Sequence, residues 1–137
     1  MLPLNLSLSA CIKDSKCCIS AGGTMTMPTD SPTPVRVFLA VGKACSDGPP
    51  TSSPTAAPSA GWIEASSITS LGGDDYQVTF PGMTTSDTRC VTPCNAAYSV
   101  CVWVYFADGT SDCKCESNFN PATYCSQQPN GVCTACA

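Results

Sequence analysis

The chain contains no histidine, and only 12% of its residues are charged. The first absence removes the Ser-His and Cys-His pairs of nucleophilic hydrolases, the commonest general base, and the imidazole ligands of most catalytic zinc sites. Lysine and arginine number 6 against 10 aspartates and glutamates, a formal net charge of −4. With no basic run to meet phosphates, neither nucleic acid nor an anionic membrane is an expected partner. No apolar run approaches the roughly 20 residues that span a bilayer. Carboxylates are sparse, and only Asp74-Asp75 and the Asp108/Asp112 pair lie close in sequence, both at expected turns. A weak calcium site or an acid pair is one reading of them; ordinary turn polarity is the simpler one. No amphipathic helix of useful length and no internal repeat occurs. Nothing in this inventory asks for an enzyme, a metal or a cofactor.

Cysteine is what the chain has in excess, with 12 in 137 residues. That density marks a disulfide-stapled protein of an oxidising compartment. Cys11, Cys17, Cys18, Cys45, Cys90, Cys94, Cys101, Cys113, Cys115, Cys125, Cys133 and Cys136 are therefore expected in disulfides, although Cys133 and Cys136 have the spacing of a zinc-binding pair. The pairing is not readable from sequence. Two constraints are: adjacent Cys17 and Cys18 need different partners, and so do Cys113 and Cys115, two apart on one side of a strand. Residues 1–10 lack a positive segment and a continuous apolar core, so they are not expected to be a secretory signal. Leu8-Ser9-Ala10, loosely like a cleavage site, supports the competing reading of a signal remnant. The expected location is extracellular.

Strand patterns dominate. Thr24-Met25-Thr26-Met27 alternates. Val35, Val37, Leu39 and Val41 share one face of a strand, with Arg36, Phe38 and Ala40 on the other. Strand patterns recur at Trp62–Ala65, near Ile68, and at Tyr76, Val78 and Phe80. Tyr98–Phe106 is apolar on both faces, as in a central strand covered on each side. Asp108-Gly109 then signals a hairpin into Asp112–Cys115. These spacings predict an all-β, disulfide-rich, immunoglobulin-like β-sandwich over residues 11–115. An N-terminal strand at 1–10 precedes it, and a loop-rich, cysteine-rich segment follows at 116–137. The immunoglobulin hallmarks are incomplete, because no tryptophan sits suitably between two paired-looking cysteines.

Residues 46–61 form an insert with no large apolar side chain, expected to be extended and solvated. Together with Pro32 and Pro34 it carries interleaved Ser/Thr/Ala-Pro dipeptides: Pro49, Pro50, Thr51, Ser53, Pro54, Thr55, Pro58 and Ser59. Such composition suggests O-glycosylation. These dipeptides resemble the glycomodules of plant and green-algal hydroxyproline-rich cell-wall glycoproteins. The resemblance implies hydroxylated prolines bearing sugar chains. Asn5-Leu6-Ser7 is an N-glycosylation sequon. Covalent glycans are thus the expected non-protein groups.

Leucine occupies positions 2, 4, 6 and 8, with Asn5 and Ser7 between them on the polar edge. The row resembles the N-terminal donor strands of assembled pilins, which implies a strand lent to the sheet of a neighbouring copy. The simpler burial is within the chain's own sheet. Burying four leucines is worth roughly 6–12 kcal/mol. Association costs an estimated 4–15 kcal/mol. Side chains alone therefore make exchange marginal between molecules. Exchange is nonetheless favoured, because Cys11, Cys17 and Cys18 anchor only the base of the strand and leave its tip to project. The expected function is a structural subunit of a secreted, glycosylated filament, with Leu2, Leu4, Leu6 and Leu8 linking copies head to tail. The main alternative is a monomeric carbohydrate-binding or adhesion module that stacks sugars on Trp62, Trp103 and Tyr105. A small secreted inhibitor or hydrolase comes third.

Overall fold

A computed structural model describes residues 5–136; Met1, Leu2, Pro3, Leu4 and Ala137 lie outside the described residues. Leu2 and Leu4, half of the leucine row, are therefore not placed. The chain forms two antiparallel sheets packed across a shared apolar core. The first sheet contains β1 (Ser7–Lys13), β2 (Lys16–Thr26), β5 (Ser67–Gly72) and β6 (Asp75–Thr79), in the order β1-β2-β6-β5, with the short β7 (Cys90–Val91) also paired to β2. The second contains β3 (Pro34–Val41), β4 (Ile63–Glu64), β8 (Tyr98–Phe106) and β9 (Ser111–Phe119), in the order β4-β3-β8-β9.

Local chemistry explains the main pairings. Asp14 and Ser15 close the β1–β2 hairpin with φ of 52° and 65°. Two successive positive φ values give the turn whose twist matches that of the flanking strands. The sequence does not announce this hairpin, because its loop has no glycine to mark it. β8 sits between β3 and β9 and is apolar on both faces, as expected. Val100, Val102 and Val104 join Ile19, Met25, Val37, Leu39 and Val78 in the core between the sheets. Phe38, Ala40, Cys101 and Tyr105 form a second buried cluster with Trp62 on the far face. Val35 departs from the expected apolar face. A register shift between Pro34 and Arg36 turns it outward, leaving it 51% exposed.

All twelve cysteines are paired: Cys11–Cys136, Cys17–Cys94, Cys18–Cys90, Cys45–Cys113, Cys101–Cys115 and Cys125–Cys133. The adjacent and the alternate cysteines go to different partners, as strand geometry requires. None of the six bonds joins one sheet to the other, so the inter-sheet bridge of antibody domains is missing. The boundary expected at residue 115 falls inside β9, which continues to Phe119. The helix α1 (Pro121–Ser126) follows, with Asn120 Oδ1 accepting the Thr123 N–H at its start. The last residues return to the base of β1. Ile12 N–H donates to the Thr134 carbonyl at 2.7 Å, and Cys136 N–H to the Ile12 carbonyl at 2.9 Å.

Candidate functional site

Two surfaces carry the residues singled out by sequence: the N-terminal strand and the proline-rich cover of the second sheet. On the strand, Leu6 is 6% exposed and belongs to the chain's own core, and Leu8 packs against that core half-buried. The expectation of a free tip fails from Leu6 onward. β1 is bound to its own β2 over its whole length, and a two-residue turn and three disulfides fix the hairpin. Asn5 is exposed, and its Oδ1 accepts the Thr26 N–H at 3.3 Å.

The proline-rich insert is mostly exposed, as expected, but it is tied to the protein rather than free. It folds down over the second face of β3 and β8 as a cover. Pro50 and Thr51 are buried, Thr51 being 4% exposed. The Tyr105 hydroxyl lies 2.6 Å from Thr51 Oγ1 and accepts the Thr51 N–H at 3.3 Å. Ser59 N–H closes the loop onto the Pro50 carbonyl at 2.6 Å. From the sheet, Arg36 donates through Nη1 to the carbonyls of Pro54 and Ala56, both at 2.9 Å. Its other nitrogens form a paired contact with Glu64 at 2.7 and 2.8 Å, and its guanidinium lies 4.8 Å from the Phe38 ring centre. At the root of the cover, Cys45 is bonded to Cys113 of β9.

This architecture sorts the expected sugar-bearing residues. Pro49, Ser53, Pro54, Thr55, Pro58 and Ser59 face solvent, as does Pro32. Pro34, Pro50 and Thr51 do not. They do not suit attachment: the Thr51 hydroxyl is engaged inside the protein, and buried Pro34 and Pro50 leave no room for a sugar. Of the three aromatics of the carbohydrate-binding alternative, Trp62 and Tyr105 are buried and Trp103 is half-buried. Trp62 is 5% and Tyr105 8% exposed, and Trp62 meets Trp103 edge-on at 6.0 Å. They do not form a stacking platform. The buried Trp103 Nε1 has no hydrogen-bond partner among the described residues.

The carboxylate pairs serve turns. Asp75 Oδ1 accepts the Thr26 hydroxyl at 2.7 Å, and Asp108 Oδ1 accepts both the hydroxyl and the N–H of Thr110. The Thr110 bonds hold the Asp108 carboxyl below its ordinary value. Sequence gave no warning of the other charged feature, Arg89 at 1% exposure. Its guanidinium reaches Asp87 and the carbonyls of Pro81 and Gly82, tying down the loop before β7. Among the described residues, the one close group of candidate metal ligands is Cys45, Cys113 and Cys115, whose sulfurs are already in disulfides. No described helix is long and apolar enough to cross a membrane.

No family model, curated protein or solved structure matches this chain.

Proposed function

We propose that the protein is a structural subunit of a secreted, sugar-coated extracellular filament that assembles head to tail. The observation that carries this reading is the proline-rich cover, pinned from beneath by Tyr105 and Arg36. It holds Ser53, Thr55 and Ser59 outward with their neighbouring prolines. An ordered array of hydroxyls over a closed apolar face suits a glycan coat and offers no cleft for a substrate. Six disulfides fit life in an oxidising space without maintenance. An immunoglobulin-like arrangement of the paired sheets and plant- or algal-type hydroxyproline glycans belong to this same reading.

The junction between copies is narrower than the leucine row first suggested. With Leu6 and Leu8 committed internally, Leu2 and Leu4 remain, worth roughly 3–6 kcal/mol if fully buried. That is comparable to the lower end of the association cost of about 4–15 kcal/mol. Each junction is therefore weak and reversible, and assembly rises with concentration. Purified native chain viewed by electron microscopy, with mass mapping of its glycans, tests the reading. Filaments bearing sugars at Asn5 and within residues 52–59 are expected. A bare monomer at every concentration would exclude it.

A further inference from the structure

We infer that an apolar groove at the opposite pole of the molecule from Asn5 receives Leu2 and Leu4 of a second copy of this chain. The groove has a volume of about 400 Å³ and lies between the closed end of the β1–β2 hairpin and the C-terminal segment. Ile12, Cys17, Cys94, Ala122, Val132 and Cys133 line it, and no charged side chain does. Val132 stands 61% exposed at its rim, more than any other large apolar side chain described.

Three observations select the occupant. The first is chemistry. Met1-Leu2-Pro3-Leu4 is wholly apolar and matches an uncharged groove. The backbone of Ile12 is already bonded to Thr134 and Cys136, so the groove takes side chains rather than another strand.

The second is reach. Asn5 is bonded to Thr26, at the other end of β2 from Cys17. Seven residue steps separate Asn5 from Ile12, about 23 Å at about 3.3 Å each in extended chain. Leu2 lies three residues from Asn5 and reaches about 11 Å at full extension. The groove is beyond the reach of its own leucines, so leucines that fill it come from another copy.

The third is alignment. Leu8, Ala10 and Ile12 occupy one face of β1, with Leu6 just before it, so this stripe runs from the Asn5 end of the molecule to the groove. A copy stacked below continues the same apolar stripe across the junction. One pole meeting the opposite pole is a heterologous contact, which propagates as a filament unless it closes into a ring.

This inference rests on the filament reading, and the test separates the two. Three full-length chains are compared by sedimentation velocity over a concentration series: the native sequence, Val132→Asp, and Leu2→Ser/Leu4→Ser. The native chain is expected to form long oligomers, and each variant to remain monomeric. An equimolar mixture of the two variants is expected to stop at dimers, because one supplies an intact groove and the other intact leucines. Val132 is exposed, so its substitution leaves the fold intact; unchanged circular dichroism and a folded Val132→Ala control with weakened assembly establish this. If Val132→Asp assembles like the native chain while Leu2→Ser/Leu4→Ser does not, the leucines link copies but this groove is not their receptor. If the leucine variant also assembles, the leucine junction and the groove fall while the filament reading stands; if the native chain never assembles, the filament reading falls with them.

Discussion

At the scale of single residues, two buried polar contacts hold the loops against the sheets. Thr51 and Tyr105 share a buried hydroxyl–hydroxyl contact of 2.6 Å. Tyr105→Phe strands the Thr51 hydroxyl and removes the acceptor of its N–H. The expected loss is about 1–3 kcal/mol, read as a lower urea midpoint with the disulfides intact. Asp87 supplies a pH dependence. Burial pushes its carboxyl up, but the hydrogen bonds and charge of Arg89 and the Thr84 N–H outweigh that and hold it down to about 2. A depressed carboxyl stabilises the fold above its unfolded value near 3.9 and loses that contribution as pH falls through about 2. Denaturant midpoints should therefore decline between about pH 4 and pH 2, by the equivalent of roughly 2 kcal/mol for this group. Asp87→Asn should abolish that share of the decline. It should also lower stability near neutral pH by about 3–5 kcal/mol, because it leaves the Arg89 charge buried and unpaired.

At the scale of elements, the proline-rich cover is the feature sequence misjudged most. Residues 46–61 contain no large apolar side chain, so no periodicity announces that they pack. The groups that hold them lie elsewhere in the sequence: Arg36 on β3, Tyr105 on β8, and Cys113 on β9. By contrast, β8 was legible because both its faces are apolar, and only a central strand with two covers satisfies that. The separate partners of Cys113 and Cys115 were legible for an equally local reason. The β1–β2 hairpin was not, since an Asp-Ser loop reaches the required positive φ values without glycine. The Arg36 contacts give a test of the cover. Arg36→Ala frees the carbonyls of Pro54 and Ala56 and leaves Glu64 without its partner. The cover should open locally, with limited proteolysis within residues 52–60 accelerating at least tenfold. Tryptophan emission should shift to the red as water reaches Trp62. A cover that stays protease-resistant in this variant would show that Pro50 and Thr51 suffice to hold it.

At the scale of the whole molecule, the fold assigns different duties to different surfaces. The core between the sheets is filled from both sides, including by Leu6. The outer face of the second sheet is sealed by a segment whose own outer side is rich in hydroxyls. The two poles differ: one carries Asn5, bonded to Thr26, and the other bears an uncharged groove around Val132. Sequence carried the leucine row and the sugar-type dipeptides openly. It could not carry the division of that row, because whether Leu6 faces its own core depends on a hairpin register set by a distant turn and three disulfides. The central claim is that copies join through Leu2 and Leu4. The most direct measurement is the sedimentation velocity of the native glycosylated chain beside Leu2→Ser/Leu4→Ser, at matched concentrations spanning two decades. The account predicts a native boundary that grows faster with concentration and a variant that sediments as a monomer throughout. Identical sedimentation of the two chains would contradict it.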